Sequence, residues 1–180
     1  MPDAETPAET EEAAVEYGPT FNELLPVSQL LDSVTGQSVE LADLIGPKGG
    51  VVVFSRSAAW CPYCQKQMVE LNEAVEKLDE LEMKLTVITY DSVKDLSEFK
   101  STNRINYSLV SDTDSSTIIA SNLLNESADE GTRFYGIPHP AVIVLGAIGE
   151  VKDVYVDTDY TVRPSVADIL LNAEGVRNAG

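Results

Sequence analysis

Residues 51–68 read Val51-Val52-Val53-Phe54-Ser55-Arg56-Ser57-Ala58-Ala59-Trp60-Cys61-Pro62-Tyr63-Cys64-Gln65-Lys66-Gln67-Met68, and this stretch decides the fold. Val51 to Phe54 is a short, β-branched apolar run, suited to a strand buried on both faces. After Cys64 the apolar residues change period: Met68, Leu71, Val75, Leu78 and Leu81 recur at helical spacing, with Glu, Lys and Asn between them. The two cysteines therefore sit between the end of a strand and the start of a helix. A thiol there faces unpaired backbone N–H groups and the positive end of the helix macrodipole, which favour thiolate over thiol. Cys61 is the predicted nucleophile. Cys64, one turn further in, is placed to attack a mixed disulfide formed at Cys61. Pro62 suits a first helical turn, where its missing N–H costs nothing.

Outward from this unit, Leu25 to Leu44 reads as two extended segments around a Thr35-Gly36-Gln37 turn. Leu85 to Tyr90 is a second buried strand. Ser92 caps a helix to Lys100, Tyr107 to Val110 is a third strand, and Ser115 to Leu124 has helical spacing. Ala141 to Leu145 and Val151 to Val156 form a strand pair about Gly149, and Pro164 opens a last helix. The alternation in the middle predicts parallel strands with crossover helices, and the end predicts antiparallel edges. The expected fold class is α/β: a mixed sheet covered by helices on both faces.

Composition narrows the function. Thirty acids oppose 12 bases, and six of the acids and none of the bases lie in residues 1–18, leaving the rest at −12. Residues 1–20 are expected to be an acidic, disordered tail and residues 21–180 the domain. The acidic balance argues against nucleic-acid partners and against anionic membrane surfaces. The longest apolar run, Ala141 to Ile148, is too short to span a bilayer, so no membrane insertion is expected. The absence of a basic-then-apolar leader predicts a cytoplasmic protein, or a periplasmic one if an export signal has been removed.

With two cysteines and one histidine, three readings of the CxxC compete. A structural disulfide closing so short a loop would stabilise by only about 2 kcal/mol. A zinc site wants four ligands, and beyond the cysteines only His139 remains. Redox chemistry is the favoured reading; no metal and no cofactor is expected. A second constellation is Gly136-Ile137-Pro138-His139-Pro140, where an X-Pro bond leads into a buried strand and a cis peptide can be retained.

Trp60-Cys61-x-x-Cys64, the helix start Gln65-Lys66-Gln67-Met68, and Pro140 followed by an apolar strand and Gly149 resemble the thioredoxin superfamily. More narrowly, residues 25–175 are similar to its redoxin branch, which groups peroxiredoxin-like (AhpC/TSA) proteins with TlpA- and ResA-type oxidoreductases. The resemblance implies a thioredoxin-like fold with an N-terminal β-hairpin and a β-α insertion between Cys64 and Pro140. It also implies a cis Pro140 packed beside Cys61, its backbone open for a substrate strand, with His139 flanking the sulfurs, where as a cation it would favour the Cys61 thiolate. Trp60 and Tyr63 would shape the substrate surface. The implied partners are protein or small-molecule disulfides and thiols, a thiol reductant, and peroxides if the chain is a peroxidase. A non-catalytic thioredoxin-like binding domain is the third possibility. The sequence departs from peroxiredoxins at Ala58 and Phe54, where that family places Thr and Pro. Where TlpA- and ResA-type proteins often have Glu, this chain has Gln67. No acid stands near Ser55, so no proton acceptor for Cys64 is identified, and Arg56 and Ser57 are given no role.

Overall fold

The computed structural model describes residues 16–180. The strands are β1 (Leu30–Asp32), β2 (Ser38–Val39), β3 (Gly49–Phe54), β4 (Met83–Thr89), β5 (Ser108–Ser111), β6 (Ala141–Leu145) and β7 (Val151–Val156). They form one seven-stranded sheet in the order β2-β1-β5-β4-β3-β6-β7. β3, β4 and β5 run parallel, while β6 is antiparallel to β3, β7 to β6 and β1 to β5. The expected thioredoxin-like mixed sheet is thus present, with β1 and β2 as the N-terminal hairpin.

β3 lies between β4 and β6, and all six of its residues are buried. That is why its sequence is continuously apolar rather than alternating. Its side chains still divide by parity: Val51 and Val53 enter one core, Val52 and Phe54 the other. Gly49 opens the strand at φ +125°, where a Cβ would stand 2.1 Å from the Leu145 carbonyl oxygen. Only glycine allows so close a strand crossing.

The helices are α1 (Pro62–Glu70), α2 (Val75–Glu80), α3 (Val93–Thr102), α4 (Ser116–Ala120) and α5 (Val166–Ala179). Met68, Leu78, Leu96 and Ile169, one from each of α1, α2, α3 and α5, pack in the core that holds both cysteines. Ile118 of α4 packs in the other core with Leu25 and Leu123. Among the described residues no helix is long and apolar enough to cross a membrane.

Four local expectations need correction. The single helix expected after the cysteines is broken at Leu71–Ala74 by a 3-10 turn between α1 and α2. The helix expected over 115–124 stops at Ala120, because Asn122 turns left-handed at φ +54°. Pro164 lies two residues before α5, just ahead of the N-cap Ser165, whose hydroxyl accepts the Asp168 N–H at 3.1 Å. Pro140 is trans: there is no cis peptide among the described residues. An X-Pro bond prefers trans by under about 1 kcal/mol, so the local sequence decides neither isomer.

Of the expected acidic tail, residues 1–15 lie outside the described residues. Within the remainder, the Gly18 N–H donates to the Asn122 carbonyl at 2.9 Å and Tyr17 packs on His139.

Candidate active site

The loop from β3 to α1 is tied down by one buried carboxylate. Asp91 follows β4, the parallel neighbour of β3, so its side chain lies at the same carboxyl edge of the sheet as the loop. Asp91 Oδ1 accepts from Ser57 Oγ at 2.6 Å; Oδ2 accepts from the Ala58 N–H at 2.7 Å and from Thr89 Oγ1 at 2.7 Å. Ser57 Oγ in turn accepts from the N–H groups of Ala59 and Trp60 at 3.0 and 3.3 Å. These bonds satisfy donors of a buried loop that has no ladder partner, and they fix the approach to Cys61. The sequence reading gave Ser57 no role and did not single out Asp91. The available signal was Asp-Ser immediately after a buried parallel strand, since sites in such sheets gather at strand carboxyl ends.

Cys61 and Cys64 form a disulfide with Cα atoms 5.2 Å apart. α1 begins at Pro62, as expected, and Cys61 is its N-cap: Cys61 Sγ accepts the Cys64 N–H at 3.4 Å. The sulfur that leads into α1 therefore meets a helix N–H directly, as the thiolate argument requires. Both cysteines are buried, at 1% and 0% exposure.

The second sulfur has a partner that sequence spacing could not show. Arg163, 99 residues along the chain, donates from Nη2 to Cys64 Sγ at 3.2 Å. Its Nη1 donates to Gln67 Oε1 at 2.7 Å and its Nε to the Tyr160 carbonyl at 2.9 Å. Burial, and then the neighbouring Arg56 charge, lower its pKa to about 10, which leaves it a cation at neutral pH. Gln67 is the position where a Glu was the family-like residue. As an amide it holds the guanidinium without cancelling its charge beside the sulfur.

Around the cysteines is an aromatic collar. Trp60 Nε1 donates to the Tyr90 hydroxyl at 3.0 Å, and that hydroxyl donates to the Arg133 carbonyl at 2.6 Å. Trp60 meets Phe134 edge-on at 5.0 Å between centroids, and Tyr63 meets Tyr160 at 5.6 Å. Arg56 Cζ lies 4.0 Å from the Tyr160 ring centroid and 5.1 Å from that of Trp60. Tyr63 and Tyr160 are nearly half exposed. Trp60 and Tyr63 therefore contribute to an aromatic surface, as expected, joined by Phe134 and Tyr160, which sequence reasoning missed.

His139 and Pro140 behave differently from their expected roles. His139 is buried with its ring 4.2 Å from that of Tyr17, and its backbone N–H donates to the Leu123 carbonyl at 2.7 Å. Leu123 belongs to the core on the sheet face opposite the cysteines. Burial lowers the imidazole pKa, so His139 is held neutral rather than as a cation favouring a thiolate. The Pro140 carbonyl accepts the Asp157 N–H at 3.1 Å. That carbonyl is already engaged within the protein. The cation at the sulfurs is Arg163.

A family model described as the AhpC/TSA family matches residues 22–154. No curated protein sequence matches significantly. Among solved structures, the fold is similar to the peroxidoxin BcpB from Mycobacterium tuberculosis, with a TM-score of 0.71 and 19% identity over 89% of this chain and 97% of that one. It is similar to AhpC of Enterococcus faecalis, with a TM-score of 0.76 and 15% identity over 89% and 94%. It is also similar to peroxiredoxin Q of Xanthomonas campestris, with a TM-score of 0.63 and 22% identity over 83% and 87%.

Proposed function

Because this chain belongs to the AhpC/TSA family, we propose that it is a thiol–disulfide oxidoreductase working through Cys61 and Cys64. The carrying observation is the disulfide at the start of α1, with a helix N–H on Cys61 Sγ and the Arg163 guanidinium on Cys64 Sγ. In the reduced protein the Cys61 thiolate attacks a substrate disulfide, and the first substrate thiolate leaves. Cys64 then attacks Cys61 Sγ, closes the protein disulfide and releases the second. No carboxylate base for Cys64 is needed. A cation in contact with its sulfur holds the thiolate form, and the proton passes to solvent. The pair is buried, so exchange requires local opening of the first turn of α1.

A peroxidase is the second reading, favoured by family membership and by two guanidiniums at the site, Arg56 and Arg163, the first close enough to lower the pKa of the second. Against it stands Ala58, which presents a methyl group where a peroxiredoxin-like site has a hydroxyl. The deciding experiment supplies one reduced sample with a neutral small disulfide and, separately, with hydrogen peroxide. Exchange predicts rapid oxidation by the disulfide and peroxide consumption at the rate of an ordinary thiol. Rapid peroxide consumption with slow exchange would overturn the first reading.

A further inference from the structure

Outside residues 1–18 the chain carries −12, and a cationic substrate would be favoured by that net charge. The charge is not evenly spread. Three of the five arginines gather at the aromatic collar. Arg56 stacks on Trp60 and Tyr160; Trp60 meets Phe134; and Arg133 stacks on Phe134, with Cζ 4.7 Å from the centroid. Arg163 donates to the Tyr160 carbonyl and to Cys64 Sγ. Among the described residues the ion pairs are all made by lysines, so none of these three arginines has a carboxylate within 4.0 Å. The nearby acids are Asp157, which acts on Arg163 from a distance, Asp91, whose carboxylate is committed to Ser57, Ala58 and Thr89, Asp159 beside Tyr160, and Asp129 and Glu130 in the loop before Arg133. Arg56 Nε is buried and has no acceptor among the described residues. Stacking occupies the faces of Arg56 and Arg133 and leaves N–H edges to offer, the geometry a carboxylate takes up.

We propose that this collar selects a small disulfide or thiol bearing a carboxylate close to its sulfur, held by Arg56 and Arg133 while its sulfur meets Cys61. The inference rests on the exchange reading and names its substrate class. The reaction balances without a further reagent. Cys61 and Cys64 give two electrons and two protons to one substrate disulfide, which leaves as two thiols, while the protein keeps the new disulfide. In the reverse direction two carboxylate-bearing thiols reduce the protein.

The test uses three disulfides of similar size: 3,3′-dithiodipropionate (anionic), 2-hydroxyethyl disulfide (neutral) and cystamine (cationic). Oxidation of the reduced full chain is followed through Trp60, its only tryptophan and the neighbour of Cys61. The anionic disulfide is expected to react about tenfold faster than cystamine at low salt. The ratio should shrink towards one near 0.5 M salt, where the screening length is only about 4 Å. Arg56→Gln and Arg133→Gln should each lower the anionic-to-neutral ratio about threefold or more. Lys94→Gln, which removes an exposed charge on α3, should leave the ratio unchanged. Cystamine reacting fastest, or the arginine variants keeping the wild-type ratio, overturns the proposal. If the neutral disulfide exchanges rapidly without any ordering by charge, only this inference falls. If none of the three reacts faster than an unactivated thiol, the exchange reading falls with it.

Discussion

Arg163→Gln should raise the pKa of Cys64 and make the Cys61–Cys64 couple more reducing. The guanidinium donates to Cys64 Sγ at 3.2 Å. At an effective dielectric of about 20, Coulomb's law gives a ceiling of about 5 kcal/mol for a charge pair at that distance. Partial exposure and relaxation reduce this, and a hydrogen bond to a charged group is worth about 1.5–3 kcal/mol. Divided by about 1.4 kcal/mol per unit, that is a rise of about one to two pKa units. Because Arg163 stabilises the anionic thiolate far more than the neutral disulfide sulfur it also touches, its loss should lower the reduction potential by about 30–60 mV where Cys64 is ionised. The assay is the thiolate absorbance of Cys61→Ser against pH, with and without Arg163→Gln, so that Cys64 is the one thiol titrating. Coincident titration curves would refute the reasoning. So would a fall in pKa.

Three further outcomes are expected. Gln67→Glu should shift the Cys64 titration upwards as well, because a carboxylate on Arg163 Nη1 offsets its charge; an unchanged or lowered value contradicts the role given to the neutral amide. Asp91→Ala leaves Ser57 Oγ, the Ala58 N–H and Thr89 Oγ1 without their acceptor, at about 1 kcal/mol each, so urea denaturation should show a loss of about 3 kcal/mol; a loss under about 1 kcal/mol would mean the clamp is dispensable. For His139, burial sets the folded pKa below the unfolded value of about 6.5, so acidification protonates the unfolded chain first and folding weakens as pH falls. His139→Phe should therefore lose less stability than wild type between about pH 8 and 5 in matched denaturation curves, and parallel pH profiles would count against this.

The parts of this molecule legible in its sequence are those set by local physics. Val51 to Phe54 could hardly be anything but a central strand, and Pro62 after Cys61 marks the first turn of α1 at the residue where it begins. Ser92 was readable as a cap, and its hydroxyl accepts the Asp95 N–H. What was hidden depends on the chain returning from far away. Arg163 reaches Cys64 across 99 residues, from a polar stretch with no periodicity. Tyr17 belongs to a segment that reads as solvated tail, yet its ring covers His139 and removes that residue from the expected charged role. Pro140 was expected to keep its backbone open only by resemblance, whereas its carbonyl accepts the Asp157 N–H beyond β7. Asp91 lies between these cases: its position after a parallel strand was visible, but the three donors it holds were not.

The central claim is that Cys61 attacks disulfides. It is tested most directly by mixing reduced Cys64→Ser with equal concentrations of 2-hydroxyethyl disulfide and hydrogen peroxide, quenching within the first turnover, and weighing the intact protein. The account predicts a mixed disulfide at Cys61 as the dominant species, whereas a dominant sulfenate or sulfinate at Cys61 would contradict it and make the chain a peroxidase.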